Sequence, residues 1–275
     1  MASEGMSMTL ENPFGEAVML SESSRVAAKL KAQADEYAFP YHYLPVAFGR
    51  LWLSKHWSFA PSYIAALKLV LERIEIVSKV SEVDFNHIDI GCGDGALLHY
   101  LSQSGKICPE RLFGLDADEN AIFWAKAFNP HIKFVAGDLS ALDETFQSAS
   151  LIEVIEHIPP RSLPDFLSKV RQRLAPDGLL IATVPSVEKR VYDKHFQHFT
   201  FESLRSILQA DFCDIEILGF ERRTKSIAYI ERIFNNKHWR IDAPCFNHWL
   251  VRKLSELNSR PENCGRLLAV ARARS

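Results

Sequence analysis

The chain has 275 residues, of which 47% are hydrophobic and 24% charged, the ordinary balance of a globular protein with a full core. Because its 32 Lys and Arg nearly balance its 34 Asp and Glu, the total charge argues against a dedicated nucleic-acid binder. Its five cysteines are scattered without a C-x-x-C pair, which argues against a disulfide framework or a cysteine zinc cluster and fits a reducing compartment.

The chain termini carry two further signals. The first twenty residues contain acidic side chains where a signal peptide needs positive charge, and no apolar run reaches the ~18 residues of a membrane span. We therefore expect a soluble, cytoplasmic protein. Residues 221–275 contain 12 Lys and Arg but only 5 Asp and Glu. This excess of positive charge suits an acidic partner, a phosphate, a membrane surface or simply a solvated face.

Residues 1–80 are predicted to form a loose tail followed by a helical cap. A helical pattern covers about 21–37, and the prolines of FPYHYLP (39–45) interrupt it. Pro61 can open a second helix, since apolar residues then recur at spacings of three and four up to Val77. We predict no strand before residue 85.

From Phe85 onwards, short apolar strands alternate with helical stretches. This alternation predicts βαβ units and a doubly wound, mostly parallel sheet with helices on both faces. Residues 81–275 are therefore one α/β domain, with a helical insertion at about 221–262. The predicted strands are 87–90, 111–116, 132–136, 150–154, 178–184, 213–220 and 266–273.

A glycine-rich loop, GCGDG, follows the first of these strands and opens a helix. Gly91, Gly93 and Gly95 allow a tight turn and a close approach of the backbone to a ligand, whose polar atoms would meet the amides of the helix N-terminus. A strand before the loop and a helix after it are the context that a cofactor-binding loop requires.

Two cofactors compete for this loop. Gly91, Gly93 and Ala96 satisfy the G-x-G-x-x-G/A pattern of dinucleotide binders, but Asp89 and Asp94 flank the loop and would repel a pyrophosphate. S-adenosylmethionine (SAM) has no phosphate, and its sulfonium and ammonium groups favour nearby carboxylates. Asp116 can accept from the ribose hydroxyls and Asp138 from the adenine amino group, so the residues favour SAM.

The ordered motifs D-I-G-C-G-D-G (89–95), L-D (115–116), G-D-L (137–139) and E-V-I-E-H (153–157) resemble those of class I SAM-dependent methyltransferases. The resemblance covers about 85–220 and the closing strand. It implies a seven-stranded sheet whose last strand is antiparallel. It also implies that the three glycines hold the methionine end of SAM, that Asp116 binds the ribose, and that Asp138 and Leu139 border the adenine.

The E-V-I-E-H motif ends the fourth strand, where ligands gather in open α/β sheets. Glu153, Glu156 and His157 would share one side of a helical turn, and two carboxylates with an imidazole suit Mg²⁺ or Mn²⁺. The motif and a later histidine resemble the small-RNA 3′-terminal 2′-O-methyltransferases. That resemblance implies a metal held by Glu153, Glu156, His157 and His195.

The same two motifs also resemble those of small-molecule O-methyltransferases of the ubiquinone-pathway type. On that resemblance, Glu153 would only border the SAM pocket. An oxygen acceptor benefits from a base with a near-neutral pKa, and His157 and His195 are the candidates. The N-P-P-aromatic signature of base-amino methyltransferases is absent. We therefore expect O-methylation of a small molecule, with a metal-dependent RNA-end enzyme and a catalytically silent binding subunit as the alternatives.

Overall fold

The computed structural model describes residues 9–11, 17–19, 22–38, 47–48, 51–52, 60–80, 85–234, 236, 240–241, 243–259 and 263–274. The strands are β1 (Thr9–Glu11), β2 (Ala17–Met19), β3 (Ala47–Phe48), β4 (Leu51–Trp52), β5 (His87–Ile90), β6 (Leu112–Asp116), β7 (Lys133–Ala136), β8 (Phe146–Ile152), β9 (Leu174–Pro185), β10 (Phe212–Arg222), β11 (Arg240–Ile241) and β12 (Cys264–Ala273). The α-helices are α1 (Glu22–Ala34), α2 (Ala60–Val80), α3 (Ala96–Gln103), α4 (Glu119–Phe128), α5 (Leu163–Gln172), α6 (Phe201–Leu208), α7 (Lys225–Phe234) and α8 (Pro244–Leu254).

The main sheet has seven strands in the order β10-β12-β9-β8-β5-β6-β7. The strands from β9 to β7 pair in parallel, whereas β12 runs antiparallel to both of its neighbours. The predicted doubly wound sheet and its antiparallel closing strand are confirmed. Two strands differ most from their predicted bounds: β8 and β9 each begin four residues before the predicted start, at Phe146 and Leu174. β8 ends at Ile152, so Glu153 lies just beyond it.

Helices cover both faces of this sheet. On one face, α2, α3 and α4 bury Ile74, Leu98 and Ile122 against the sheet, while on the other α5 and α6 bury Leu167 and Leu204. Two helices beyond β10 join the N-terminal helix α2 instead, because Ile227, Leu250 and Leu254 pack on Ala65. The first and last helical parts of the chain thus meet on one side of the sheet.

The N-terminal part contains the predicted helices α1 and α2, but the prediction of no strand before residue 85 is wrong. Two pairs of short strands lie there, β1 with β2 and β3 with β4, and β11 extends the second pair to three strands. Strands of two or three residues are too short for a period-2 pattern, so periodicity cannot reveal them. The FPYHYLP segment (39–45) lies outside the described residues.

The parallel strands end at a common edge, which positions the site. The loop 91–95 follows β5, Asp116 ends β6, Gly137 to Leu139 follow β7, and 153–157 follow β8. Ligands of open parallel sheets bind at this edge. None of the helices in the described ranges is long and apolar enough to cross a membrane.

Candidate functional site

The glycine loop has a backbone that only glycine adopts without strain. Gly91, Gly93 and Gly95 have φ values of 73°, 56° and 83°, in the left-handed region. A Cβ at Gly91 would lie 2.5 Å from a Val154 methyl group, so the loop packs directly on the E-V-I-E-H motif. A Cβ at Gly93 would collide with the Tyr37 hydroxyl. The loop is therefore in contact with both the acceptor-side motif and the N-terminal segment.

Asp116 fixes the loop from the end of β6. One carboxylate oxygen accepts a hydrogen bond from the Gly93 amide at 2.8 Å, and the other accepts from the Asp118 amide at 2.9 Å. Burial raises the pKa of Asp116, while these amide bonds oppose the rise. Since a carboxylate oxygen has more than one lone pair, both oxygens can still accept from a ribose hydroxyl.

Asp89 lies beneath the loop on β5 and is only 3% exposed. The Ser150 hydroxyl donates to it at 2.5 Å, and the buried His87 ring contacts that same hydroxyl at 3.1 Å. Burial, opposed by the Ser150 hydrogen bond and aided by the neighbouring Asp116 charge, raises the pKa of Asp89 to about 7. A cation in the loop would favour the ionised form of this acid.

Asp138 and Leu139 have local structural contacts. The exposed Asp138 carboxylate caps the 3-10 helix Leu139–Ala141 by accepting from the Ser140 amide at 2.8 Å, and its hydrogen bonds from Ser140 lower its pKa. Leu139 is 4% exposed and packs in the core. A capping aspartate can also accept from a ligand, so contact of both residues with adenine stays a prediction.

Glu153 is held apart from the other three predicted metal ligands. Its φ of 55° is a strained value for a residue with a side chain. Its carboxylate accepts from the Thr183 hydroxyl at 3.1 Å and from the Arg266 guanidinium at 2.9 Å. Arg266 also pairs with the buried Glu221, whose second oxygen accepts from Ser62 at 2.7 Å. Glu153 thus belongs to a buried ion-pair network.

Glu156, His157 and His195 converge instead. One potential ligand atom from each lies within 4.8 Å of the other two. All three residues are buried, and the two imidazole rings meet edge to face with centroids 4.7 Å apart. The predicted single helical turn is a 3-10 turn, Ile155–His157, that starts after Glu153, which explains why Glu153 faces elsewhere.

The Glu156 side chain is fully buried, with 0% exposure. Neither carboxylate oxygen accepts a hydrogen bond from any other described residue. Burial, together with the Glu153 charge, raises the pKa of Glu156 well above its usual range. A carboxylate in such a place requires a proton or a cation.

The histidine tautomers follow from their carbonyl partners. A carbonyl only accepts, so His157 Nδ1 donates to Lys194 O at 3.2 Å and His198 Nδ1 donates to Lys189 O at 3.1 Å. Burial lowers the pKa of all three histidines, that of His157 to about 4, so the rings are neutral near pH 7. His195 Nδ1 then donates to His198 Nε2 at 2.9 Å. The Nε2 atoms of His157 and His195 therefore keep their lone pairs.

The N-terminal segment 22–38 covers this region. Lys29 Nζ donates to the carbonyl oxygen of His195 at 2.7 Å, and Lys194 pairs with Glu36 at 2.7 Å. Tyr37 lies on Gly93, as described above. The segment thereby contacts both the glycine loop and the loop that contains Lys194 and His195.

Several of these contacts have no sequence signal. Tyr37 lies 56 positions before Gly93, and Arg266 lies 113 positions after Glu153. Neither belongs to a motif or to a periodic pattern that points to the site. Only pairing information between distant positions could have identified them.

Comparison with known proteins agrees with this geometry. The family model described as a methyltransferase domain matches residues 56–216, more than half of the chain. The cyclopropane-fatty-acyl-phospholipid synthase of Escherichia coli (strain K12) is 22% identical over 180 residues, which are 61% of this chain and 46% of that protein. The chain thus spans about half the length of the curated relatives it matches.

Solved structures share the fold. A SAM-dependent methyltransferase from Archaeoglobus fulgidus aligns with a TM-score of 0.53 and 18% identity over 80% of this chain and 100% of that one. Phosphoethanolamine N-methyltransferase 2 of Haemonchus contortus, in complex with SAM, aligns with a TM-score of 0.51 and 17% identity over 76% of this chain and 52% of that one. With the family match, the chain belongs to the methyltransferase-domain family, and the expectation of a class I SAM-dependent methyltransferase is confirmed.

Proposed function

We propose that this chain transfers the methyl group of SAM to an oxygen atom of a small-molecule acceptor. The observation that carries the proposal is the buried cluster of Glu156, His157 and His195 beside the glycine loop. A hydroxyl acceptor must lose its proton as the methyl group arrives, whereas a neutral amine attacks with its own lone pair. A cluster with two unprotonated imidazole nitrogens suits a hydroxyl acceptor, because such nitrogens can take up its proton.

The cofactor would lie along the sheet edge. Gly91, Gly93 and Gly95 would hold its methionine end, Asp116 its ribose, and Asp138 and Leu139 its adenine. Asp89 beneath the loop favours a cationic sulfonium electrostatically. The C–S bond then breaks as the C–O bond forms, and the sulfur keeps the bonding pair as neutral S-adenosylhomocysteine (SAH). Orientation of the two reactants is the main contribution of the protein.

A small acceptor fits the enclosure of the cluster. The three side chains are buried, and the contacts of Lys29 and Glu36 place residues 22–38 across the approach to them. The packing of α8 and α7 on α2 supports the view that the N-terminal cap and the 221–262 insertion together roof the acceptor pocket. A folded RNA end would need a more open approach.

Two routes are available for the acceptor proton. It can pass directly to Nε2 of His157 or His195. Alternatively, a cation that these nitrogens hold with Glu156 would lower the pKa of the hydroxyl, so that a water molecule takes the proton before the methyl group arrives.

The test is methyl transfer from tritiated SAM to matched panels of phenols, aliphatic alcohols, amines and a short RNA. We expect label in a hydroxyl compound, recovered as a methyl ether. Gly93→Ala should abolish transfer, whereas Glu188→Gln, an exposed change in the neighbouring loop, should not. Label confined to amines would favour an N-methyltransferase, and label at an RNA 3′ end would favour the RNA-end enzyme; either result contradicts the proposal.

A further inference from the structure

We propose that Glu156, His157 and His195 form a binding site for one divalent transition-metal ion, a site that activates the acceptor oxygen. The inference deepens the proposed function and rests on it. It is carried by the convergence of three potential ligand atoms within 4.8 Å in a buried place.

The unpartnered carboxylate is the first argument. An ionised Glu156 carboxylate at 0% exposure, without a hydrogen bond from another described residue, would destabilise the folded chain. No lysine or arginine is paired with it among the described residues, whereas nearby Glu153 and Glu221 both have Arg266. A bound cation is the partner that would satisfy both Glu156 oxygens.

The orientation of the imidazoles is the second argument. Metal-binding histidines donate their other ring N–H to a carbonyl, a carboxylate or another acceptor, which fixes the tautomer. His157 does so through Lys194 O at 3.2 Å, and His195 does so through His198 Nε2 at 2.9 Å. His198 is in turn fixed by Lys189 O at 3.1 Å. Both candidate ligands therefore have supporting contacts that leave Nε2 unprotonated.

The donor set indicates the class of metal. Two imidazoles and one carboxylate suit Zn²⁺, Fe²⁺, Co²⁺ or Mn²⁺ better than Mg²⁺, which prefers oxygen ligands. A three-ligand site of this composition also leaves a position for a substrate oxygen. Bonds of about 2.0–2.2 Å would draw the ligand atoms closer together than they are here, a change within reach of side-chain rotation.

The predicted fourth ligand is not part of this site. Glu153 is fixed by Thr183 and Arg266 through hydrogen bonds of 3.1 and 2.9 Å. Recruiting it would leave Arg266 with only one of its two carboxylates. The proposal is therefore a three-residue site, and Glu153→Gln should leave metal affinity within a few fold of wild type.

The experiment is calorimetric titration of the metal-free full chain with Zn²⁺, Mn²⁺ and Mg²⁺, together with the metal content of the protein as purified. We expect one Zn²⁺ or Mn²⁺ per chain and weaker Mg²⁺ binding. Glu156→Gln and His195→Gln should each weaken binding at least about 100-fold, and His198→Ala about 10–100-fold through its support of His195. The exposed changes Glu188→Gln and His131→Gln are the matched controls.

Folding and function are followed separately. Glu156→Gln keeps the side-chain volume and introduces no charge, so this variant should fold, and unchanged SAH binding would verify it. Absence of metal binding by wild type, or equal binding by Glu156→Gln, would overturn the site. Hydroxyl methylation that continues in excess EDTA would also overturn its role but leave the proposed function, with an imidazole as base. Metal binding without hydroxyl methylation would refute the function instead.

Discussion

Asp89→Asn isolates the effect of one buried acid on the pH dependence of stability. The Asp89 carboxyl is 3% exposed, accepts from Ser150 and lies near the Asp116 charge. Its pKa is about 7 in the folded chain, against 3.8 as the ordinary value, chiefly because of burial. Asparagine mimics the protonated acid in size and can still accept the Ser150 hydrogen bond.

The direction in which stability changes with pH follows from the difference between the pKa values of Asp89 in the folded and unfolded chains. Below about pH 4 the acid is protonated in both states, and its contribution to stability is fully present. Between pH 4 and 7 only the unfolded state is ionised, so stability falls by up to about 1.4 kcal/mol per pH unit. With a shift from 3.8 to about 7, the total loss is on the order of 4 kcal/mol. Because asparagine does not ionise, the Asp89→Asn variant does not lose this stability as the pH rises.

The assay is urea unfolding of wild type and Asp89→Asn at pH 5, 6, 7 and 8 without cofactor. We expect the variant to gain in relative stability with each step up to about pH 7 and then to level off. The exposed Asp143→Asn should show a constant, small difference. A difference between wild type and Asp89→Asn that does not change with pH would refute the reasoning.

The remaining predictions concern the cofactor loop, the ion-pair network and RNA. Asp116→Ala removes the acceptor of the Gly93 and Asp118 amides and the proposed acceptor of the ribose hydroxyls, so SAM binding by calorimetry should weaken by about 1.5–3 kcal/mol; an unchanged affinity would contradict the proposed ribose contact. Gly93→Ala should cost at least about 1–3 kcal/mol of SAM binding, whereas Gly105→Ala, at a similar φ of 66° but with open space, should leave it unchanged. Arg266→Met removes the ion-pair partner of Glu153 and one of the three cations paired with the buried Glu221, so it should lower the free energy of unfolding by about 3–5 kcal/mol in urea titrations. The half-buried Arg272→Met, which loses one pair with the exposed Asp214, should cost under about 1 kcal/mol, and equal effects would argue against a buried network. Binding of a short RNA, measured by fluorescence anisotropy, should stay weak with little salt dependence. A steep salt slope of about −0.7 per neutralised phosphate, with submicromolar affinity, would favour the RNA-end enzyme.

Sequence reasoning predicted the parts of the fold that depend on local patterns. The strand HIDI matches β5 residue for residue, because four buried residues before a glycine turn leave little choice of boundary. The glycine loop and Asp116 were likewise predictable, since a positive φ requires glycine and the end of β6 is next to that of β5. Short strands such as β3 escaped prediction because two residues have no period.

On the acceptor side of the site, local sequence patterns do not predict how the side chains are arranged. The spacing of Glu153, Glu156 and His157 predicts one shared face only if the segment is helical from its first residue. Glu153 instead has a left-handed backbone and pairs with Arg266, a contact set by the register between β9 and β12. The convergence of His195 on the other two residues depends on a loop conformation that sequence spacing does not encode.

Every proposal above depends on the binding of SAM by the loop after β5. Calorimetric titration of the purified full chain with SAM, SAH and NAD tests it most directly. We expect one SAM or SAH per chain and no heat from NAD. Binding of NAD with no response to SAM or SAH would contradict it.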